Sequence, residues 1–99
     1  MSHLKQSYVY ILASGKNGTL YIGVTSNLLQ RSYQHKNKMF MGFAARYGVN
    51  QLVYYETYDR IEDAIGREKA MKKWNRAWKL ELIEQFNPEW RDLYAEITK

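Results

Sequence analysis

Apolar positions alternate along the first part of this chain and only later fall into helical stripes. Ser7-Tyr-Val-Tyr-Ile-Leu-Ala13 and Thr19-Leu-Tyr-Ile-Gly-Val-Thr25 are dense in β-branched and aromatic residues, which predicts two strands. Between them, Ser14-Gly15-Lys16-Asn17-Gly18 carries an Asn-Gly pair, a strong hairpin signal. A two-residue turn at Asn17-Gly18 sets Ile11 opposite Val24. One face of the hairpin then holds Val9, Ile11, Ala13, Leu20, Ile22 and Val24, and the other Tyr8, Tyr10, Leu12, Tyr21, Gly23 and Thr25. The first face is aliphatic and needs helices packed on it. The second is lined with tyrosine and has a gap at Gly23. A longer loop shifts the pairing, but every odd register sum keeps Tyr10 and Tyr21 on one face.

Further along, Thr25-Ser26-Asn27 offers N-caps for a helix over Leu28–Lys36. On it Leu29 and Tyr33 form one stripe, and Arg31 and His35 share another face at i,i+4. Residues 37–50 read as a loop with a helical turn over 43–47. Gln51–Tyr58 predicts a third strand. Arg60–Trp74, capped by Asp59, and Ala77–Phe86 predict two more helices, the second ended by Asn87-Pro88. The aromatic segment from Trp90 to Tyr94 follows. The expected fold class is α/β (α+β): a small three-stranded antiparallel sheet with flanking helices.

Length and composition narrow the picture. The 99 residues suit one domain, 1–99, with a core over about 6–94. Without cysteine there is no disulfide framework and no thiolate zinc site. The longest apolar run, Tyr8 to Ala13, is far too short to span a membrane, and the expectation is a cytoplasmic protein with no membrane partner. We expect a monomer, with a weak dimer as the alternative. The net charge is +5, but its placement says more: Lys5, Lys16, Arg31, Lys36, Lys38 and Arg46 precede any acid, and the first carboxylate is Glu56. Such an excess attracts a polyanion, although it also serves ordinary solubility. Any carboxylate in a site must come from the second half.

Three sets of residues could carry chemistry. The apolar positions Ile61, Ala64, Ile65 and Met71 make an inward stripe on their helix, and Glu68 falls in its middle with Lys72 and Asn75 beside it. A carboxylate there needs a partner or a metal; from spacing alone an ordinary ion pair with Lys72 or Arg31 is the better account. Arg31 has the planar fork that suits phosphate oxygens, and His35 can move a proton near neutrality. A solvated helix face explains both as simply. Tyr10 and Tyr21 beside Gly23 leave room for a ligand, or are plain cross-strand packing.

Together these residues resemble a family. Tyr8-Val9-Tyr10, ten residues of hairpin, and Tyr21-Ile22-Gly23 resemble the paired motifs that name the GIY-YIG nuclease superfamily. Tyr8 stands where the first motif has Gly and Val9 where it has Ile; the second motif is complete. The run from Tyr21 through Arg31 to His35 continues the likeness, and Ala64-Ile-Gly-Arg-Glu68 resembles the segment with the family's metal-binding glutamate. The segments Arg67-Glu68-Lys69, Lys79-Leu80-Glu81-Leu82-Ile83 and Asn87-Pro88-Glu89-Trp90-Arg91-Asp92-Leu93 are similar to small stand-alone bacterial members. Many members have an Asn about a dozen residues after the glutamate. Leu80 stands there, and Asn75, on the face of Glu68, is the substitute.

The resemblance implies hydrolysis of DNA phosphodiesters. Glu68 would hold Mg2+ or Mn2+, Arg31 would take the phosphate, Tyr21 would be the general base, and Tyr10 would position it or the water. His35 is the rival base, because a phenol titrates near ~10 and needs a neighbouring cation to act at neutrality. Lys16, Lys36, Lys38, Arg46, Arg67, Lys69, Lys72, Lys73, Arg76 and Lys79 would grip DNA through phosphates, which carry no sequence information. Low sequence specificity follows; branched, flapped, duplex and single-stranded DNA all stay open, with DNA repair one setting. The alternatives are a module that binds nucleic acid without cutting, and a protein-interaction domain using an exposed aromatic C-terminus at Trp90 and Tyr94.

Overall fold

A computed structural model describes residues 6–37 and 47–98. Strands β1 (Ser7–Ala13), β2 (Leu20–Thr25) and β3 (Gln51–Tyr58) form one antiparallel sheet in the order β2-β1-β3, so the first strand made is the central one. The β1–β2 register is Tyr8↔Thr25, Tyr10↔Gly23 and Ile11↔Ile22. Ile11 thus faces Ile22 rather than Val24. The hairpin closes with a longer loop than expected: Ser14 N–H donates to Thr19 O, and Gly18 N–H donates to Gly15 O, each at 3.0 Å. Asn17 sits at φ 59 inside that inner turn, where a left-handed residue belongs. The shift is even, so the two faces keep the expected residues.

Each face has its own core. Val9, Ile11, Ala13, Ile22 and Val53 pack with Ala64, Met71, Ile83 and Trp90 on the aliphatic side. There lie α2 (Ile61–Lys72) and α3 (Arg76–Phe86). Tyr10, Leu12, Leu52, Leu28, Val49 and Leu93 pack on the tyrosine side, with Tyr8, Tyr21 and Tyr55 against them. That side is covered by α1 (Leu28–Lys36) and the short α4 (Tyr94–Ile97). In α1 the buried residues are Leu28, Ser32 and His35, while Leu29 and Tyr33 are exposed. Asn27 caps α1 by accepting Gln30 N–H at 3.0 Å.

Four expectations need correction. Helix α2 begins after Arg60, which makes no side-chain cap, and Asp59 does not serve. Its stripe is narrower than the pattern, because Ile61 is exposed. It also stops at Lys72, so the chain leaves the helix before Asn75. Trp90 is 4% exposed and belongs to the core, so the aromatic C-terminus is not an exposed surface. Buried Asn87 organises that segment: its amide donates to Val53 O at 3.1 Å and Arg91 O at 2.8 Å, and Leu93 N–H reaches Leu52 O at 2.7 Å. The turn expected over 43–47, apart from Tyr47, lies outside the described residues, as do Lys38 and Arg46.

Candidate functional site

Tyr10 on the central strand and Gly23 on the edge strand are directly paired, and the phenol lies across the glycine. A Cβ at Gly23 would stand 2.5 Å from Tyr10 Cζ and nearer still to its hydroxyl. The gap expected to admit a ligand is therefore filled by the Tyr10 ring, because glycine alone lets the ring reach the sheet edge. Tyr10 is 1% exposed, and its hydroxyl, like that of Ser32, is buried without a hydrogen bond of ordinary geometry among the described residues. Burial, and then the Tyr21 phenol, push Tyr10 up to about 12; Arg31 opposes the rise and Glu68 adds to it. Tyr10 is consequently a protonated phenol, able to donate and unsuited to act as a base.

Three rings meet here. Tyr21 lies 6.4 Å from Tyr10 between ring centroids, His35 lies 6.3 Å from Tyr10, and Tyr21 and His35 are 5.5 Å apart. Helix α1 brings His35 down because the Asn27 cap sets the phase that turns Leu28, Ser32 and His35 inward. Burial, and then the charge of Arg31, lower the His35 pKa below 6.5, which favours neutral imidazole, a proton acceptor. Arg31, one turn earlier on α1, is half-buried. The Tyr10 hydroxyl thus feels a cation from α1 on one side of the sheet and Glu68 from α2 on the other.

The Glu68 side chain is 13% exposed, and Lys72 Nζ lies 2.8 Å from its Oε2, the i,i+4 ion pair that spacing allowed. Among the described residues no three His, Cys, Asp or Glu side chains are grouped to hold a metal. A lone carboxylate suits Mg2+ or Mn2+, which keep most of their coordination in water and substrate oxygens. The buried Tyr10 hydroxyl, within the influence of Glu68 and Arg31, lies beside this carboxylate and cation. Glu68 is the residue that could hold such an ion.

Asn75 does not stand beside Glu68 on a helix face. It is the N-cap of α3, with its side-chain oxygen accepting Trp78 N–H at 2.9 Å. Leu80, where many members have Asn, packs against the aliphatic core. Of the basic residues expected to grip DNA, Lys16, Lys69 and Lys73 are exposed. Lys36 is paired with Asp92, Lys72 with Glu68, and Arg76 donates to Asn17 O and Gly18 O at 2.7 Å each.

One group escaped the sequence reading. On the aliphatic face Glu56 accepts from Nε and Nη2 of Arg67, at 3.0 and 2.9 Å, together with the hydroxyls of Tyr58, at 2.7 Å, and Tyr54. Burial alone would raise the Glu56 pKa, but the bonds from Arg67, Tyr54 and Tyr58 hold it below 4.5. Tyr58 in turn is pushed up to about 12 by burial and by Glu56. Arg67, partly exposed, is thus engaged by Glu56 and fastens α2 to β3 one residue before Glu68. The available signal was the two-residue alternation of Tyr54, Glu56 and Tyr58 on one strand face.

Comparison with known proteins places this arrangement. A model of the GIY-YIG catalytic domain matches residues 6–81, which include Tyr10, Tyr21, Arg31, His35 and Glu68. A UPF0213 protein of Syntrophus aciditrophicus is 37% identical over 90 residues, covering 87% of this chain and 98% of that one. A UPF0213 protein of Clostridium perfringens is 39% identical over 77 residues, covering 78% and 82%. The solution NMR structure of a UPF0213 protein from Bacillus halodurans superposes with a TM-score of 0.50 at 28% identity, covering 81% of this chain and 84% of that one.

Proposed function

This chain belongs to the GIY-YIG family, whose domain is of endonuclease type, and from that we propose that it hydrolyses DNA phosphodiester bonds with Mg2+ or Mn2+ and little sequence specificity. The observation that carries the reading is the meeting of Tyr10, Tyr21 and His35 under the joint influence of Arg31 and Glu68. A phosphodiester needs charge neutralisation, a deprotonated water and a protonated or stabilised leaving oxygen. Arg31 takes the non-bridging phosphate oxygens through its fork. Tyr21 accepts the proton of the attacking water, with neutral His35 beside it as the onward acceptor; His35 acting directly is the competing route. Tyr10, held protonated, donates to the water or to Tyr21 and keeps its orientation. Glu68 would hold a divalent ion, which would supply Lewis-acid stabilisation of the developing oxyanions. The exposed Lys16, Lys69 and Lys73 meet phosphates and not base edges, which keeps sequence preference low.

A module that binds without cutting is the second reading, favoured by the Lys72 ammonium on Glu68 and by Leu80 in the core. Cleavage of duplex, branched and single-stranded DNA with Mg2+ or Mn2+, comparing the wild type with Glu68→Ala, separates the two. Metal-dependent cutting lost in the variant supports the enzyme. Salt-sensitive binding with no cutting supports the module. Tyr21→Phe and His35→Ala pH–rate profiles then assign the base: near-normal rates in Tyr21→Phe transfer that role to His35.

A further inference from the structure

Helix α2 lies on the sheet along a seam of Ala64 and Met71, both fully buried. Seven residues make almost two whole turns, so these two share one line down the helix. Arg67 falls about 60° to one side of that line and Glu68 about 40° to the other. The two flanks meet different things. Arg67 reaches Glu56 on β3, while Glu68 acts on Tyr10, whose ring lies across Gly23 of β2.

A methyl group and a flexible thioether pack without direction, so the seam alone leaves α2 free to roll about its own axis. Gly66 adds to that softness. It sits in the interior of α2, where a Cβ would meet nothing within 4 Å, and glycine there weakens a helix without a packing need. Directional bonds come from Arg67. Its Nε and Nη2 donate to the two oxygens of Glu56 at 3.0 and 2.9 Å, a planar fork that fixes angle as well as distance. Trp74, seven residues on, lies against the guanidinium at 4.9 Å and packs on the aliphatic core. Each Glu56 oxygen also accepts from one phenol, of Tyr58 or of Tyr54, which fills its lone pairs. Glu56 is therefore spoken for and is not a second carboxylate for an ion.

We propose that Arg67, held by Glu56, is a positioning residue for Glu68: the clasp on the β3 flank of α2 sets the roll of the helix and so aims the carboxylate on the β2 flank. The inference rests on the function proposed above, in which Glu68 holds the metal ion, and deepens it. A carboxylate stands roughly 6 Å from its helix axis, so a roll of about 10° carries it about 1 Å. Displacements of that size cost ~10²-fold in rate.

The test uses the full chain with 13C-labelled tyrosine and histidine rings, and reads NMR, cleavage and urea unfolding. Added alone, Mn2+ is expected to broaden the Tyr10 and His35 signals of the wild type, and Glu68→Ala should abolish this. Arg67→Lys keeps the charge and loses the fork. It should raise the Mn2+ concentration at half broadening about tenfold and lower kcat on DNA about 10- to 100-fold, with KM for DNA unchanged. Glu56→Gln weakens the same clasp from the strand and should act alike; it carries the test should Arg67→Lys not fold. Gly66→Ala added to either variant should restore the urea midpoint while leaving Mn2+ dependence and kcat impaired. Recovery of all three together would make the clasp merely structural and overturn the proposal. Wild-type broadening and kcat in both single variants overturn it too. Broadening that is absent from the wild type, or that survives Glu68→Ala, removes the ion from Glu68 and refutes both readings. A wild type that binds Mn2+ at Glu68 but cuts nothing refutes the nuclease alone, and the Mn2+ dependence then decides the clasp.

Discussion

Replacing Gly23 by alanine tests the geometry at the centre of the site. The new Cβ would stand 2.5 Å from Tyr10 Cζ and 3.0 Å from Cε1. Ordinary carbon contacts lie at about 3.5–4.0 Å, so the ring has to retreat by roughly 1 Å. It has little room to do so, since Tyr10 is buried on the central strand with the Tyr21 and His35 rings beside it. Overpacking of this kind costs ~1–3 kcal/mol. Alanine returns ~0.4–1 kcal/mol by restricting the unfolded chain. The expected net loss is ~1–2 kcal/mol, seen as a lower urea midpoint at unchanged m-value, or a fall of about 5–10 °C in Tm. Tyr10→Ala removes the obstacle, so in that background Gly23→Ala should be neutral or mildly stabilising, and the double-mutant cycle should show strong coupling. If Gly23→Ala matches the wild type within ~0.5 kcal/mol, or the cycle is additive, the ring does not lie across the glycine.

Other variants probe the parts that hold the site. Glu56→Gln breaks the pair with Arg67 and should cost ~2 kcal/mol, less than a fully buried pair because Arg67 is partly exposed. The Glu56 pKa is lowered on folding, so its stabilisation is complete above the ordinary value of 4.5 and fades as pH falls through the folded value; urea midpoints against pH should lose that acid limb in the variant. Asn75→Ala should cost ~1 kcal/mol in urea unfolding while Asn75→Asp is tolerated, the pattern of a cap rather than a catalytic amide. Lys72→Met frees Glu68 of its ammonium, and calorimetric titration should show tighter Mn2+ binding than in the wild type.

Much of the fold was legible because the signals were local. The alternation of Val9, Ile11 and Ala13 with tyrosines placed β1, and the Asn27 cap placed α1. Register was not local. It depends on how Ser14 to Thr19 folds back, and an Asn-Gly pair also fits a longer loop with Asn17 alone in the left-handed region. The end of α2 was hidden because Lys73 and Trp74 prolong a good helical pattern, while Asn75 leaves it to cap the next helix. Trp90 was misread because its place in the core with Val9 and Val53 depends on contacts far apart in sequence. At the site, residue types and spacing left a plain structural account open for each set. The resemblance to the GIY-YIG motifs pointed to Tyr10, Tyr21, Arg31, His35 and Glu68, which the fold brings near one another. The Glu56–Arg67 clasp was missed because no periodicity links a strand carboxylate to a helix on the layer above.

The order β2-β1-β3 also has a consequence in time. The middle strand leaves the ribosome first, and its second partner is finished only at Tyr58. At ~5–20 residues per second the stretch from Ala13 to Tyr58 takes about 2–9 s to make. Through that interval one edge of β1, with Val9 and Ile11 beside it, has no strand against it, and open edges of apolar strands recruit other chains. Crowded synthesis should therefore be this protein's most aggregation-prone moment, and variants that weaken β3 should lower soluble yield more than their folded stability suggests.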